Sequence, residues 1–197
     1  MTGASTPAAR DGAQAPKKRR RRLLTDLILF AAVLALALAA RAFLFEVAVV
    51  KGNSMRSTLQ NGEVMLVSTL DYRLGDPQRH DVVICHYPGR QMKNLPFLQQ
   101  QFVKRVVGLP GDTIEIIDSV IYVNGEALRE DYLDPAHTRF RTNRPPITLG
   151  EDEYYVLGDN RDNSNDSRSI GPIKRGMIVG HVRRVLYPFR SARRVGG

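Results

Sequence analysis

Residues 23–50 read LLTDLILFAAVLALALAARAFLFEVAVV, and along this stretch one apolar pattern gives way to another. Leu27 to Ala40 are 14 consecutive apolar residues. With their flanks they make a short membrane span, since a bilayer core needs about 20 helical residues and at least ~17. After Arg41 the apolar runs become short, β-branched and separated by turn residues, which is typical of strands. The sequence therefore predicts one transmembrane helix, residues 23–42, followed by a β-rich domain.

Two other interpretations of the apolar run remain open. A helix that is apolar on every face could lie in a protein core, and a basic region followed by an apolar one is also the pattern of a cleavable secretory signal. Small residues suited to cleavage occur at 37–39 and 40–42. However, the run is longer than the ~7 to 15 residues usual in a signal, and 22 residues precede it. We therefore expect an uncleaved anchor.

The positive charge of the chain is concentrated at its two ends. The 197 residues carry 29 Lys and Arg against 20 Asp and Glu, a formal net charge of +9. Residues 1–22 hold seven basic residues against one acidic, and residues 181–197 add five arginines with no acid. The body between them is slightly acidic, so nucleic-acid binding is not expected. Because basic clusters stay on the cytoplasmic side, the sequence predicts a disordered cytoplasmic tail at 1–22 and an extracytoplasmic domain.

The region after the anchor predicts sheet and no amphipathic helix. The candidate strands are Phe45–Val50, Glu63–Ser68, Asp81–His86, Gln101–Val107, Thr113–Ile117, Val120–Val123, Tyr154–Leu157 and Met177–Val185. Turn signals occur at 109–112 (LPGD) and 124–125 (NG). Residues 129–150, with three prolines, predict a long irregular loop. We expect a mainly β domain over 43–190 and a C-terminal tail at 191–197.

The histidines and the single cysteine make no recognisable catalytic or metal site. The histidines are scattered, and none lies in a glycine-flanked elbow: His80, His86, His137 and His181. The lone Cys85 excludes an intrachain disulfide and a thiolate-rich zinc site. The Asp-rich segment 159–166 lacks the glycine and glutamate that a calcium loop requires. No metal and no cofactor are therefore predicted.

A serine and a lysine remain as a candidate catalytic pair. Ser54 follows a glycine at the end of a predicted strand, where a sharp turn exposes its hydroxyl and nearby N–H groups, the components of an acyl-transfer site. Lys104 lies within an apolar strand and shares its face with Phe102 and Val106. Burial there lowers the pKa of the amine, which can then accept a proton, whereas Arg105 stays protonated. Taken singly, Ser54 could be a turn serine and Lys104 a snorkelling or edge-strand lysine.

A third segment, GDNRDNSNDSR at 158–168, completes a pattern. Together with GNSMRSTL at 52–59 and FVKRVVGLPGDT at 102–113, in this order after one anchor, it resembles the type I signal peptidases. These are membrane-bound Ser-Lys proteases that remove signal peptides from exported proteins. The similarity covers nearly everything from Leu23 to His181. It implies an antiparallel β-sheet catalytic domain of signal peptidase type, held by a single pass in a bacterial cell membrane.

The resemblance also implies roles for individual residues. Ser54 is the implied nucleophile, and Lys104 is the implied general base and later general acid. The implied supporting residues are Ser164, which hydrogen-bonds and orients the lysine amine, Asp166 with Arg168 as a nearby ion pair, and Asp159 and Arg161, which brace the same loop. A hydroxyl can hold a neutral amine without recharging it as a carboxylate would.

Three positions depart from the family's usual pattern. Ser57 stands where proline is usual, and His80 stands where glycine is common. Gly52 occupies the position from which one branch of the family supplies a side-chain hydroxyl to the oxyanion hole. This departure indicates the Gram-positive-like branch, and we predict an oxyanion hole built from backbone N–H groups, with that of Ser54 the best candidate.

The substrate implied by the resemblance is a secretory preprotein. Family specificity is for small residues at the first and third positions before the cut, as in Ala-X-Ala, in a strand laid beside the nucleophile strand. The residues that flank the pair, Val50, Met55 and Val103, are candidates for the shallow pockets, with plain core packing as the alternative. The implied partners are preproteins and the lipid bilayer, with no nucleic acid and no metal.

Two rival functions can be set against a signal peptidase. A self-cleaving Ser-Lys domain of the phage repressor type needs a DNA-binding domain in place of the anchor. A non-catalytic, membrane-tethered homologue that only binds signal peptides would be expected to have lost Ser54 or Lys104, and both are present. The sequence therefore favours a serine endopeptidase.

Overall fold

The computed structural model of the chain describes residues 15–92, 95–139 and 141–196. The chain divides into two compact units, residues 1–42 and 43–197, each of which is considered by itself. A helix, α1 (Ala15–Leu44), accounts for the described part of the first unit. Within it, Arg22–Ala39 has a mean hydropathy of 2.1 and is long and apolar enough to cross a membrane. None of that stretch is buried, so it is not a core helix.

The helix begins earlier than the sequence predicts. Residues 15–22 were expected to belong to a disordered tail, and in the structure they are helical. The prediction of disorder for these residues is therefore wrong, because a run of Lys and Arg has good helix propensity and here extends an apolar helix by two turns. The remainder of the predicted tail, residues 1–14, lies outside the described residues.

The described part of the second unit is mainly β. Its strands are β1 (Phe45–Val49), β2 (Val64–Ser68), β3 (Val82–Met92), β4 (Leu95–Gly108), β5 (Thr113–Ile117), β6 (Val120–Val123), β7 (Glu126–Ala127), β8 (Arg144–Thr148), β9 (Glu153–Leu157), β10 (Ile173–Lys174), β11 (Ile178–Tyr187) and β12 (Arg193–Arg194). Two helices of one turn each, α2 (Asp71–Leu74) and α3 (Ser167–Ile170), lie between strands.

The strands form two antiparallel sheets. The large sheet has the order β1-β2-β11-β3-β4-β9-β10, with β12 paired to β11. The small sheet has the order β7-β6-β5-β8. All eight predicted strands are present, and the antiparallel, mainly β fold class is confirmed. The turn at 124–125 has positive φ at both residues, as its Asn-Gly sequence predicts for a tight hairpin.

Two segments differ from expectation. The predicted loop at 129–150 contains β8, which includes Pro145 and Pro146. Proline cannot donate to a ladder, and β8 lies at the edge of the small sheet, where this lack is tolerated. The predicted tail at 191–197 is also wrong as a tail, because β12 pairs with β11 and Val195 is only 6% exposed within the apolar core.

One apolar cluster lies directly beneath the segment that carries Ser54. It joins residues of that segment to β2, β3 and β11 and to the residue that follows β12. Its buried members are Val50, Met55, Leu59, Met65, Val67, Val82, Ile84, Val182, Val185 and Val195. Burial of these side chains holds the nucleophile segment against the sheet that contains Lys104.

Candidate active site

Ser54 lies on a loop that is closed at its base by backbone hydrogen bonds. The loop, residues 50–63, begins where β1 ends, and the Val50 N–H donates to the Glu63 carbonyl at 2.8 Å. Gly52 has a φ of 97°, which glycine adopts without strain. A helical turn follows, in which the Leu59 N–H donates to the Met55 carbonyl at 2.6 Å. Ser54 is thus partly exposed, while Met55 and Leu59 of the same loop are buried in the core.

Lys104 reaches this loop from β4. The strand lies between β3 and β9 in the large sheet, and Lys104 is 3% exposed. Its Nζ lies 2.8 Å from Ser54 Oγ, donates to the Val103 carbonyl at 2.9 Å, and is 5.2 Å from the centre of the Phe102 ring. The structure thus brings the two predicted catalytic side chains into hydrogen-bond contact.

Burial lowers the pKa of the Lys104 amine from 10.5 to about 8. The nearby Asp166 and Asp159 carboxylates act in the opposite direction, and loss of solvation outweighs them. With a pKa of about 8, roughly one amine in 11 is neutral at pH 7, compared with about one in 3,000 for an ordinary lysine. An amine with this pKa, 2.8 Å from a hydroxyl, can accept its proton near neutral pH.

Asn160 holds the backbone of the nucleophile loop. Its N–H donates to the Ser54 carbonyl at 2.9 Å, and its side-chain Nδ2 donates to the Asn53 carbonyl at 3.0 Å. Asn160 lies in the third segment but was not among the predicted site residues. The oxygen of the same side-chain amide accepts from the Asn163 N–H at 3.2 Å, so the amide joins the nucleophile loop to the third segment.

Gly158 allows the third segment to approach the nucleophile closely. A Cβ built on Gly158 would overlap Ser164 Oγ and would lie 2.5 Å from the Ser54 carbonyl oxygen. The Gly158 N–H donates to Asp166 Oδ2 at 3.0 Å. Only a residue without a side chain fits here, and this requirement is the physical reason for the glycine that opens the segment.

Ser164 does not make the hydrogen bond that the resemblance implies. Its Oγ is buried and makes no hydrogen bond to the Lys104 amine, which bonds Ser54 and the Val103 carbonyl instead. The serine does lie beside Gly158, close to the backbone of the nucleophile loop. The location of Ser164 therefore agrees with the expectation, and the expected contact to the amine is absent.

Asp166 and Arg168 form the expected ion pair. Arg168 Nε and Nη2 each donate to an Asp166 oxygen at 2.8 Å, and Asp166 is fully buried. Burial alone raises the pKa of this carboxyl, but the hydrogen bonds and charge of Arg168 outweigh it and hold the pKa below its ordinary value. Arg168 Nη1 also donates to the Arg161 carbonyl at 2.9 Å, so the pair fixes the shape of the third segment.

A second buried ion pair, Arg105 with Asp159, was missed by sequence reasoning. Arg105 Nε and Nη2 donate to the two Asp159 oxygens at 2.9 and 2.7 Å. Thr58 of the nucleophile loop donates its hydroxyl proton to Asp159 and accepts from Arg105 at 3.0 Å. The pair therefore ties β4 and the third segment to the loop that carries Ser54.

Arg161 braces the third segment, as expected, but with a partner from an unexpected region. It donates through Nε to the Gly158 carbonyl at 3.0 Å and forms a buried ion pair with Glu130. Tyr132 donates to Glu130 at 2.6 Å, and its ring lies 3.9 Å from the Arg105 guanidinium carbon. The segment after residue 129 thus supports two arginines of the site.

The three candidate pocket residues differ in accessibility. Val50 and Met55 are 4% and 2% exposed and belong to the apolar cluster below the loop. Val103 is partly buried and packs against that cluster. Most of the surface of Val50 and Met55 is taken up by core packing, and a contact of any of the three with substrate stays a prediction.

The histidines lie apart from this pair. His181, for example, lies 3.1 Å from Asp71 and stacks on Tyr72, and among the described residues it contacts neither Ser54 nor Lys104. Among the residues that the structure describes, no group of three His, Cys, Asp or Glu side chains could hold a metal ion.

Comparison with known proteins gives the same family as the three segments. Residues 22–187 match the family model described as "Signal peptidase, peptidase S26". A "Probable signal peptidase I-1" of Synechocystis is 36% identical over 171 residues, covering 86% of this chain and 83% of the relative. The "Signal peptidase I" of Bacillus licheniformis is 36% identical over 175 residues, covering 85% and 89%. The crystal structure of a signal peptidase I from Enterococcus faecalis V583 matches with 34% identity and a TM-score of 0.43, covering 55% of this chain and 97% of that one.

Proposed function

Because the chain belongs to the signal peptidase family, peptidase S26, and is a membrane-associated peptidase that cleaves signal peptides, we propose that Ser54 is its nucleophile and Lys104 its general base. The observation that carries this proposal is the 2.8 Å contact between Lys104 Nζ and Ser54 Oγ. The lowered pKa of the amine supports it, since a general base must be neutral at the working pH.

The proposed reaction has two halves. Neutral Lys104 takes the Ser54 hydroxyl proton while Oγ attacks the scissile carbonyl, and the resulting ammonium gives that proton to the leaving amine as the peptide bond breaks. An ester between Ser54 and the signal peptide remains. Lys104 then takes a proton from water, which attacks the ester, and returns the proton to Ser54 Oγ as the signal peptide leaves with a new carboxyl group.

The oxyanion formed at each attack needs donors, and we assign the Ser54 N–H to this task. This group makes no hydrogen bond among the described residues, so it is available. Gly52 offers no side-chain hydroxyl, which leaves backbone groups as the natural donors. Removing one oxyanion donor from a protease costs about 10²- to 10³-fold in kcat.

The substrate is proposed to bind as an added strand. β1 is an edge strand of the large sheet and leads directly into the Ser54 loop, so its outer edge can pair with an extended peptide. Small residues of the signal peptide, in the Ala-X-Ala pattern, would then face the candidate pocket residues Val50, Met55 and Val103. Rejection of larger side chains follows if these residues keep the packing they have here.

We further propose that the protein is a single-pass protein of a bacterial cell membrane, with a cytoplasmic N-terminus and an extracytoplasmic protease domain. The basic cluster at 17–22 before the span supports this orientation, because such clusters are retained in the cytoplasm. In this arrangement the catalytic unit meets preproteins after their translocation. Protease protection of the domain in sealed inverted vesicles tests the orientation, and digestion of the domain from the cytoplasmic side would contradict it.

Cleavage of an Ala-X-Ala preprotein by the full chain in detergent tests the proposed dyad. We expect Ser54→Ala and Lys104→Met each to lower kcat by at least about 10³-fold. Ser57→Ala is the matched control, since Ser57 lies on the same loop and its buried hydroxyl has no hydrogen-bond partner. Activity of Ser54→Ala equal to that of the control would rule out this nucleophile, and activity of Lys104→Met equal to it would rule out this base.

A further inference from the structure

The C-terminal strand contacts the loop that carries the nucleophile. β12 begins at Arg193, and the guanidinium of Arg193 reaches Glu63 and Thr58, 130 and 135 residues earlier in the chain. Arg193 Nη1 and Nη2 donate to the two Glu63 carboxylate oxygens at 2.7 and 2.9 Å. Nη2 also donates to the Thr58 carbonyl. One side chain thus makes three hydrogen bonds to this loop.

Glu63 closes the base of the loop through both its backbone and its side chain. Its carbonyl accepts from the Val50 N–H, and its Oε2 accepts from the Gln60 N–H at 2.9 Å. The Glu63 side chain is 4% exposed, so its charge depends on a partner. Burial raises the pKa of this carboxyl, but the hydrogen bond from Arg193 contributes to holding it below its ordinary value. Without Arg193 the loop would close on a buried, unpaired carboxylate.

Thr58 links the same contact to the rest of the site. Its carbonyl accepts from Arg193, while its hydroxyl bonds Asp159 and Arg105. The loop is therefore held by hydrogen bonds from the third segment and β4 to the Thr58 hydroxyl, and by a hydrogen bond from β12 to the Thr58 carbonyl. The third segment and β4 lie within residues 22–187, which match the family model, whereas Arg193 lies beyond that range.

We propose that Arg193 is a positioning residue, which holds the nucleophile loop so that Ser54 Oγ stays within reach of the Lys104 amine. The proposal rests on the proposed function of those two residues. The physical reason is geometric, because a misplacement of about 1 Å in a catalytic group can cost about 10²-fold in rate. The Arg193 side chain bonds neither Ser54 nor Lys104, so its effect is exerted through Glu63 and Thr58.

The test compares Arg193→Gln with Arg194→Gln in the full chain. Arg194 is the adjacent residue of β12 and is exposed, and its side chain makes no hydrogen bond or ion pair among the described residues, so its replacement removes the same charge without changing a contact to the loop. Arg193→Lys is the conservative variant, because an ammonium can still pair with Glu63 but cannot make the two parallel bonds. Cleavage is measured in detergent, at a temperature well below the unfolding midpoint of every variant.

If Arg193 positions the loop, Arg193→Gln should lower kcat at least about tenfold and change KM less than about threefold. Arg193→Lys should have an intermediate kcat, and Arg194→Gln should keep the kcat of the wild type. A kcat for Arg193→Gln within twofold of wild type would overturn the proposal, as would an equal loss in Arg194→Gln. If Arg193→Gln does not fold, the same two criteria apply to Arg193→Lys. Ser54→Ala, run alongside, separates the two hypotheses, since an inactive Ser54→Ala with a fully active Arg193→Gln leaves the dyad standing and rejects only the role of Arg193.

Discussion

Replacing Lys104 by methionine should make the folded domain more stable at neutral pH while it destroys activity. The substitution keeps an unbranched side chain, one atom shorter, and removes the amine of a residue that is 3% exposed. In the folded protein the amine has a pKa of about 8, against an ordinary 10.5. The unfolded chain therefore binds more protons than the folded protein between these two values, and the stability of the wild type rises with pH across this window.

The size of the effect follows from the two pKa values. Each pH unit between them is worth 1.36 kcal/mol, so holding a charged Lys104 at pH 7 costs the folded protein about 3 kcal/mol. At pH 10 the folded-state amine is neutral, and less than about 1 kcal/mol of the cost remains. The hydrogen bonds that the variant loses add an offset that does not depend on pH.

The measurement is the free energy of unfolding of wild type and Lys104→Met from urea titrations in detergent at several pH values from 7 to 10. The variant should gain about 2 to 3 kcal/mol relative to wild type as the pH is lowered from 10 to 7. Other titrating groups are shared by both proteins and cancel in the difference. A difference that stays constant within about 0.5 kcal/mol over this range would refute the lowered pKa and, with it, the argument that burial prepares the base.

Three further outcomes are expected. The kcat/KM of the wild type should fall about tenfold per pH unit below the pKa of about 8 for Lys104, because only the neutral amine is a base, and a flat profile down to pH 6 would contradict this. Gly158→Ala should abolish cleavage, because its Cβ would lie 2.5 Å from a backbone oxygen of the nucleophile loop. Gly176→Ala, whose Cβ would meet open space, should leave cleavage unchanged. Equal activity of the two variants would disprove the close approach. Arg105→Met should lower the free energy of unfolding by about 3 to 5 kcal/mol because it leaves Asp159 buried and unpaired, and the double variant with Asp159→Leu should recover part of that loss; additive losses would argue against a coupled pair.

The contact between Ser54 and Lys104 could be predicted, because each residue carries a local signal and the three segments together resemble one family. A glycine before a serine at a strand end indicates a turn, and a lysine within an apolar strand indicates burial. Arg105 could not be predicted in the same way, because period two places it on the face opposite Lys104, where a charged residue normally meets solvent. In the structure both faces of β4 are buried at this point, so Arg105 needs a partner, and that partner is 54 residues away.

Other contacts depend on details that a motif does not carry. The spacing within the third segment brings Ser164 beside Gly158, but the direction of its hydroxyl depends on the packing of its neighbours, and the expected bond to the amine is absent. The prolines of β8 indicated a loop because the sequence does not reveal which strand will lie at a sheet edge. Residues 191–197 were predicted to be a tail, because the sequence does not reveal that Arg193 pairs with a buried glutamate 130 residues earlier, Glu63.

The contact between Arg193 and Glu63 also has a consequence for the order in which the enzyme matures during synthesis. A ribosome delivers Ser54 and Lys104 long before it delivers residue 193, and a contact between residues 130 apart in the chain must await the later one. A nascent chain would therefore contain both residues of the proposed dyad before Arg193 can bond Glu63 at the base of the nucleophile loop. Proteolytic competence would then arise only after residue 193 has been synthesised and has bonded Glu63.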